Sequence, residues 1–401
     1  MVSERLAASP AMSEAQSWVR VGASTCESTL AALEEALVEV LPAGMETPRL
    51  LIVLAAPHYD LESLARELAL RLPHTAVIGC TTAGEIAAGR ALTDALVLWA
   101  LGGSGIRVAT GYGLGTGADL REAAQQAAGC LQHLERRSHT AMILLSDGLA
   151  GDQMEVVRGA YDTTGIDVPL IGGCAGDYLA MRQTRQLHGQ EVFTGAVVAA
   201  AISSDRPLGI GVSHGWTPSS EPMLVTESRR TLLSSLDDKP ALEVYLDFFN
   251  PPAIVREDPQ AFADFAAVHP IGIRRRDRIE MRHITGCDRE RGALVMVAEV
   301  PQGALAFLSQ GDYDSVLQAA AESASTAVKA LGEMPPVGLL LFDCVSRRSI
   351  FGAQHLQEET DLIGRCSGGA PMAGFYTYGE FARTRGAGGF HNQTLVTLAI
   401  G

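Results

Sequence analysis

Short, wholly apolar runs alternate along this chain with segments whose apolar residues recur every three or four positions. Residues 50–56 form a continuous apolar run, which is typical of a strand buried on both faces. Residues 28–41 and 60–72 have helical spacing, and Asp60 stands where a helix N-cap is expected. This alternation predicts βα units and a sheet covered by helices.

The alternation continues to the end of the chain. Helical spacing recurs at residues 118–136, 153–163, 241–249, 313–331 and 354–363. Strand-like segments lie between them, at residues 75–78, 95–101, 106–112, 141–145, 168–171, 184–188, 191–201, 209–215, 271–273, 279–284, 293–297, 304–308, 337–342, 372–381 and 394–400. The two strands on either side of the glycines at 102–105 are expected to pair as a hairpin.

Charge and proline break this pattern near residues 234–240. We therefore predict an N-terminal segment over residues 1–24, a first α/β region over residues 25–238 and a second over residues 239–401. The predicted fold class is α/β, with mixed sheets layered by helices and glycine-rich turns at strand ends.

Three stretches share one composition: an apolar residue, a glycine, mostly small residues with a cysteine, and a further glycine. They are Ile78–Glu85, Ile171–Asp177 and Ile363–Gly369. A glycine-rich turn at a strand end exposes backbone N–H groups, and such turns often hold ligands. Tight turns packed under a sheet are the alternative. The candidates for ligand contact are Cys80, Thr81, Gly84, Glu85, Gly173 and Asp177.

Composition and charge limit the kinds of partner. Of the 401 residues, 47% are hydrophobic and 19% charged, which allows a large core. The formal net charge of −15 argues against nucleic acid or an anionic membrane surface as the main partner. Seven scattered cysteines without a Cys-x-x-Cys pair argue against a disulfide framework, so a reducing, cytoplasmic location is expected. No apolar run approaches the ~20 residues of a membrane span.

Several motifs are similar to those of one known family. They are Gly79–Ile86, Ile171–Gly173 and Gly209–Trp216 in the first region, and Asp343–Arg348, Gly374–Glu380 and His391–Thr394 in the second. On these motifs the chain resembles the FIST sensory domain proteins, which consist of an N-terminal and a C-terminal FIST region. The resemblance implies a sensor of small ligands, with amino acids as a suggested class. One branch of the family binds haem and reports nitric oxide to a partner histidine kinase.

The chain shows no kinase or receiver segment, so we expect it to act through a signalling partner, with a homo-oligomer as an option. Haem-based sensing of nitric oxide is the leading interpretation, sensing of an amino acid or related metabolite without haem is the second, and an enzyme is the third. Cys80 would be an activated nucleophile if a helix began beside it. Gly211–Gly215 matches Gly-x-Ser-x-Gly, but Trp216–Pro218 follow where that motif needs a helix. A binding protein is therefore expected rather than an enzyme.

Polar side chains crowd the last part of the chain, between two apolar runs. Tyr376, Tyr378, Glu380, His391 and Asn392 supply two phenols, a carboxylate, an imidazole and an amide. Such a set could hold an amino-acid-like ligand, with the carboxylate taking its ammonium group. Arg347 or Arg348 would then hold the ligand carboxylate by two hydrogen bonds. A polar network that holds the strands together is the alternative.

Two histidines are the candidates for haem iron. An axial ligand needs a neutral imidazole in an apolar pocket. His214 is the first choice, because it shares a strand face with Trp216 two residues on. His188, at the end of a strand-like stretch, is the second. An ordinary structural role is the alternative for each.

Overall fold

The computed structural model describes residues 17–275, 279–384 and 388–401, without the side chains of residues 353 and 354. Its secondary structure repeats three times along the chain. Each repeat has three strands connected by two helices, then a hairpin and a last strand. The first sixteen residues of the predicted N-terminal segment lie outside the described ranges, and residues 18–24 form the first strand.

Repeat 1 begins with the first strand and ends at residue 102. It comprises β1 (Trp18–Ser24), α1 (Thr29–Val40), β2 (Leu50–Ala55), α2 (Leu61–Arg71), β3 (Ala76–Thr81), β4 (Glu85–Ala87), β5 (Arg90–Leu92) and β6 (Leu96–Gly102). All six residues of β2 are buried, as its apolar run predicts. Asp60 caps α2 by accepting a hydrogen bond from the N–H of Ser63.

Repeat 2 has the same order of elements. It comprises β7 (Ile106–Leu114), α3 (Leu120–Ala128), β8 (His139–Ser146), α4 (Met154–Thr164), β9 (Leu170–Cys174), β10 (Gln186–His188), β11 (Glu191–Phe193) and β12 (Ala196–Ser204). Short 3₁₀ turns at Gly117–Asp119 and Gly129–His133 flank α3. The helix predicted at 118–136 is therefore shorter than its spacing indicates.

Repeat 3 starts with β13 (Leu208–Ser213) and is then interrupted. The inserted region, residues 214–312, comprises β14 (Thr217–Pro218), β15 (Met223–Arg229), β16 (Leu232–Leu236), β17 (Lys239–Pro240), α5 (Ala241–Phe249), α6 (Ala253–Glu257), α7 (Pro259–Ala267), β18 (Ile271–Arg274), β19 (Ile279–Arg282), β20 (Ile284–Asp288), β21 (Ala293–Met296) and β22 (Leu305–Gln310). Repeat 3 continues with α8 (Tyr313–Lys329), β23 (Gly338–Cys344), α9 (Val345–Cys366), β24 (Met372–Thr377), β25 (Glu380–Arg383), β26 (Phe390–His391) and β27 (Leu395–Ile400). Gly352, at a φ of +62°, kinks α9.

Each repeat builds a six-stranded sheet of the same topology. Sheet 1 has the order β1-β6-β2-β3, in which β2 and β3 are parallel and the other neighbours antiparallel, and β10 and β11 complete it. Sheet 2 has the order β7-β12-β8-β9, followed by β25 and β26. Sheet 3 has the order β13-β27-β23-β24, followed by β4 and β5. Every hairpin thus lies in the sheet of another repeat, an arrangement we call the cyclic hairpin exchange.

The three sheets enclose one common core. Buried side chains of all three sheets meet there, among them Ile52, Ile143 and Leu340. Trp99 of sheet 1 donates its indole N–H to the carbonyl of Leu339 in sheet 3 at 3.0 Å. Pairs of helices cover the outer faces: α1 with α2, α3 with α4, and α8 with α9. Among the described residues, no helix has both the length and the apolar character that a membrane crossing requires.

The inserted region has a hydrophobic core of its own. Its strands form a nine-stranded sheet, and Tyr245 and Phe262 are among the buried residues packed against it. The predicted division at residue 238 falls in this region, at a tight turn in which Asp237 and Asp238 have positive φ. Sheets 2 and 3 each contain strands from both sides of residue 238, so the two predicted regions share sheets. Their division into separate domains stays a prediction.

The α/β fold class with mixed sheets is confirmed, and several strand predictions are wrong. The single strand predicted at 191–201 is two strands, β11 and β12, which lie in sheets 1 and 2. β6 and β7 do not pair with each other, because they belong to sheets 1 and 2. The apolar run at 372–381 is two strands, β24 and β25, which lie in different sheets. The helix predicted at 354–363 is confirmed as the part of α9 that follows the kink at Gly352, although α9 itself begins earlier, at Val345.

Candidate functional site

Two strand-end turns of this fold have the same sequence pattern. Residues Gly79–Glu85 and Gly374–Glu380 both read Gly-x-x-Thr-x-Gly-Glu. They lie at the ends of β3 and β24, which are equivalent strands of repeats 1 and 3. The third turn predicted from sequence, Ile363–Gly369, is not their equivalent: it lies at the end of α9 and leads into β24.

Glu85 and Glu380 are fully buried at equivalent places in these two turns. Each accepts a hydrogen bond from the hydroxyl of the threonine three residues before it. Glu85 also accepts from the N–H of Ala95 at 3.0 Å, and Glu380 from the N–H of Thr394 at 3.2 Å. Both of these N–H groups stand directly before the last strand of the repeat, so each acid fastens a hairpin to that strand.

Repeat 2 has a glutamine in this position. Gln186 begins β10 as Glu85 begins β4, and its side-chain oxygen accepts from the N–H of Ala196 at 3.2 Å. Burial raises the pKa of Glu85 to about 7 and raises that of Glu380 well above its usual value. The neutral amide in repeat 2 and the raised pKa of the two acids both favour the uncharged form of Glu85 and Glu380. Ligand contact by the two acids stays a prediction.

The turns use their backbone N–H groups internally, which differs from the exposed cradles that their glycines predict. The N–H of Ala83 donates to the carbonyl of Tyr376, and the N–H of Gly176 donates to the carbonyl of Thr81. Both bonds join different repeats. The turns therefore pack against one another, and ligand contact by their residues stays a prediction.

The two residues that suggested an enzyme are in structural positions. Cys80 is buried within β3, and burial raises the pKa of its thiol, which disfavours the thiolate that a nucleophile needs. Ser213 ends β13 and donates to Glu322 at 3.0 Å, and a strand rather than a helix follows it.

Gly173, a predicted ligand residue, is buried in β9, opposite Glu380 of β25.

Residues 177–183 form the central part of the loop between β9 and β10, and the side chains of Asp177 and Tyr378 both hydrogen-bond to it. The carboxylate of Asp177 accepts from the N–H groups of residues 181–183 at 2.7–3.0 Å. The hydroxyl of Tyr378 bonds to that carboxylate and accepts from the N–H of Leu179 at 2.6 Å. We call this segment the 177–183 loop.

The backbone of the 177–183 loop is strained. Tyr178, Leu179 and Met181 all have φ between +52° and +64°, although none of them is glycine. Such conformations persist only where the surroundings impose them, and they are frequent at ligand clamps and switch regions. The tyrosine hydroxyl of Tyr178 bonds to Glu85 at 3.0 Å and accepts from the N–H of Asp94 at 2.7 Å.

The parallel strands of each repeat end at one edge of their sheet, which is where open α/β sheets commonly bind ligands. In repeat 3 this edge opens into a cavity of about 290 Å³, and in repeat 1 into one of about 540 Å³. In repeat 2 the side chain of Tyr378 packs there, since a Cβ on Gly148 would lie 3.0 Å from its Cβ. A further cavity of about 460 Å³ lies beside the Ile363–Gly369 turn.

The cavity in repeat 3, which we call the Arg348 cavity, is lined by Ala83, Tyr178, Leu179, Val345, Arg348, Ser349 and Leu356. The guanidinium of Arg348 lies 5.0 Å from the ring centroid of Tyr376 and 5.7 Å from that of Tyr178. It donates to the carbonyl of Ala83 and the hydroxyl of Thr93, both at 2.7 Å. Since a guanidinium has five N–H donors, others remain for a ligand.

Gly84 and Tyr376, both predicted as ligand residues, form the floor under Arg348. Gly84 has a φ of +123°, and a Cβ there would clash with the guanidinium. Tyr376 is fully buried, and its hydroxyl has no hydrogen-bond partner among the described residues. The absence of a side chain at Gly84 thus leaves room for the guanidinium near the two tyrosine rings.

Arg347, the other predicted carboxylate ligand, belongs to a buried ion-pair network. Its guanidinium donates to Asp343 at 2.7 Å and to Glu359, and all three side chains are fully buried. Burial raises the pKa of both acids. Arg347 lines none of the three cavities described above, whereas its neighbour Arg348 lines one of them.

The predicted C-terminal cluster divides into two groups. Glu380 and His391 are paired across β25 and β26, and Asn392 is buried next to them. Tyr378 contacts the 177–183 loop instead, and Tyr376 contacts Arg348. The buried first group fits the structural network that was the alternative, and its ligand role stays a prediction.

The two candidate haem ligands are engaged within the protein. Nδ1 of His214 accepts from the N–H of Trp216 at 3.1 Å, and the ring also bonds to the backbone of Ile279. Nε2 of His188 lies 3.1 Å from the hydroxyl of Thr110. Neither lines one of the three cavities described above, and haem ligation by His214 or His188 stays a prediction. Within the described ranges no group of three His, Cys, Asp or Glu is placed to hold a metal ion.

Three relevant residues were not predicted from the sequence: Tyr178, Gln186 and Arg182. The repeated Gly-x-x-Thr-x-Gly-Glu pattern could have indicated the equivalence of β3 and β24. No local pattern marks Gln186, because its repeat lacks that motif and has a longer loop in its place.

Comparisons with known proteins cover most of the chain. The FIST N domain matches residues 49–239, and the FIST C domain matches residues 241–383. An uncharacterized protein of Mycobacterium tuberculosis (strain H37Rv) is 26% identical over 410 residues, which cover 94% of this chain and 97% of that protein. An uncharacterized protein of Mycobacterium bovis is 25% identical over 237 residues, which cover 56% of this chain and 58% of that protein. The chain belongs to the FIST family, whose domains sense small ligands in signal transduction.

Proposed function

We propose that this protein senses an amino acid or a related carboxylate-bearing metabolite in the Arg348 cavity and passes its occupancy to a signalling partner, such as a histidine kinase. One observation carries the proposal. Arg348 lies over two tyrosine rings at a strand edge and has N–H donors that no residue in the described ranges uses. A planar guanidinium held in this way can bind a carboxylate by two parallel hydrogen bonds.

The rest of the cavity suits the body of such a metabolite. Leu179, Val345 and Leu356 supply apolar contacts, and the volume of about 290 Å³ is near the lower end for small-molecule pockets. The ring of Tyr178 is fixed by its hydrogen bonds to Glu85 and Asp94. The wall of the cavity is thus preorganised, which reduces the entropy lost on binding.

Replacing Arg348 by methionine is expected to weaken metabolite binding, because the charge-assisted hydrogen bonds to the carboxylate are lost. We expect an affinity roughly 10- to 100-fold lower, from about 1.5–3 kcal/mol for such a bond. Calorimetry with the twenty amino acids and small organic acids measures it. Arg348→Lys should lose less, since it keeps the charge without the planar fork.

Arg291→Met is the matched control, because the Arg291 side chain is 73% exposed and lies in the inserted region. It should bind like the wild type. Equal affinity of the wild type and Arg348→Met for every ligand that binds would contradict the proposed site.

Haem-based sensing of nitric oxide is the other version of this function, and it rests on the family alone. Because both histidine rings are engaged, we expect no Soret band when haemin is added to the purified protein. A Soret band that disappears in His214→Ala or His188→Ala would replace the metabolite proposal by the haem version. Spectra of the ferrous protein with and without nitric oxide provide the same comparison.

A further inference from the structure

The cavity of about 540 Å³ in repeat 1 differs from the Arg348 cavity in its charges. We call it the Arg182 cavity; Thr81 and Asp177, both predicted as ligand residues, line it together with His58, Arg182 and Arg185. It lies where β2 and β3 end. The Arg348 cavity lies at the equivalent strand ends of repeat 3.

Each carboxylate around the Arg182 cavity already has a hydrogen-bond or ion-pair partner within the protein. Both oxygens of Asp177 accept hydrogen bonds from the 177–183 loop, and Asp60 caps α2. Glu62 pairs with Arg185 at 2.8 Å. The guanidinium of Arg182, in contrast, makes no hydrogen bond or ion pair with any residue that the structure describes, while its backbone N–H bonds to Asp177 at 2.7 Å. The guanidinium of Arg182 is thus a cation without a partner among the described residues, and hydrogen bonds hold the backbone that carries it.

The 177–183 loop forms a wall of both cavities. Tyr178 and Leu179 line the Arg348 cavity, and Asp177, Ala180 and Arg182 line the Arg182 cavity. The strained conformation of the loop depends on the bonds of Asp177 and Tyr378. A ligand that fastens one half of the loop therefore stabilises the wall of the other cavity as well.

We propose that the Arg182 cavity is a second ligand site, for a small anion with a carboxylate or phosphate group, and that it is coupled to the Arg348 cavity through the 177–183 loop. The anion pairs with Arg182 and draws on Arg185 and His58, which line the same cavity. Occupancy stabilises the observed conformation of the loop and so favours binding at Arg348. By linkage, a ligand at Arg348 favours the anion to the same degree. The coupling rests on the proposed function, whereas the anion site does not.

Hydrogen exchange of the amides at residues 181–183 tests the anion site, with succinate and inorganic phosphate as separate probes. We expect at least one probe to slow their exchange severalfold in the wild type. The protection should disappear in Arg182→Met and persist in Arg348→Met. The probe that protects distinguishes a carboxylate from a phosphate ligand.

Arg66→Met is the control, since Arg66 lies on the exposed side of α2, bonds to Ser63 and does not line the cavity. It should keep the protection. Protection by neither probe, or equal protection in Arg182→Met, would overturn the second site. If only the proposed function is wrong, no metabolite will bind at Arg348, but the anion will still protect the amides of residues 181–183. The two failures can therefore be told apart.

Discussion

Replacing Arg347 by methionine is expected to lower the free energy of unfolding by about 3–5 kcal/mol, because breaking a buried ion pair leaves uncompensated charge in the interior. Asp343 and Glu359 would both lose their only cationic partner in the network, and neither is exposed to water. Protonation of the two acids offsets part of the cost at low pH, so the loss should grow as the pH rises. Denaturant unfolding at several pH values measures it.

The comparison variant is Arg291→Met, which changes an exposed arginine and should alter stability by no more than about 0.5 kcal/mol. A loss in Arg347→Met no larger than in this control would contradict the structural role. Weakened ligand binding at unchanged stability would instead restore Arg347 as the ligand residue that the sequence predicted.

Replacing Glu85 by glutamine should flatten the dependence of stability on pH. The pKa of Glu85 is raised from 4.5 to about 7 on folding, so the folded protein binds a proton that the unfolded chain releases. Its contribution to stability is full below pH 4.5 and is lost as the pH rises through about 7. The difference corresponds to about 3 kcal/mol. Glutamine keeps the hydrogen-bonding shape, as Gln186 does in repeat 2.

The measurement is the free energy of unfolding of both proteins across that pH range. Glu39→Gln, a change at an exposed position of α1, should follow the wild type. Identical pH curves for Glu85→Gln and the wild type would show that Glu85 is ionised in the folded protein, and the interpretation of the acids as neutral groups would fail.

Local patterns predicted the elements well where burial is uniform. The six apolar residues of β2 and the helix at 241–249 were predicted from spacing alone, because burial on both faces or on one stripe dictates residue type directly. The break within 372–381 was missed, since both strands around it are buried and only the repeated turn motif separates them.

The sequence pattern could not tell which of Arg347 and Arg348 is buried and which lines the cavity. Neighbouring residues on a helix point about 100° apart, so one of the two faces the interior and the other the cavity. Which of them is buried depends on Asp343 and Glu359, which come from a strand and a later turn of α9. The exchange of hairpins between repeats is equally invisible, because it pairs strands that are far apart in sequence.

The cyclic hairpin exchange also sets the order in which a growing chain can be completed on the ribosome. Sheet 1 has all its strands once β11 has been made, at residue 193. In sheet 2, β9 ends at Cys174 but must wait for β25, which starts at Glu380. At roughly 5–20 residues per second, synthesis of the intervening chain takes on the order of 10–40 s. During that time the nascent protein carries an unpaired strand edge, a template for aggregation that a ribosome-associated chaperone would have to cover.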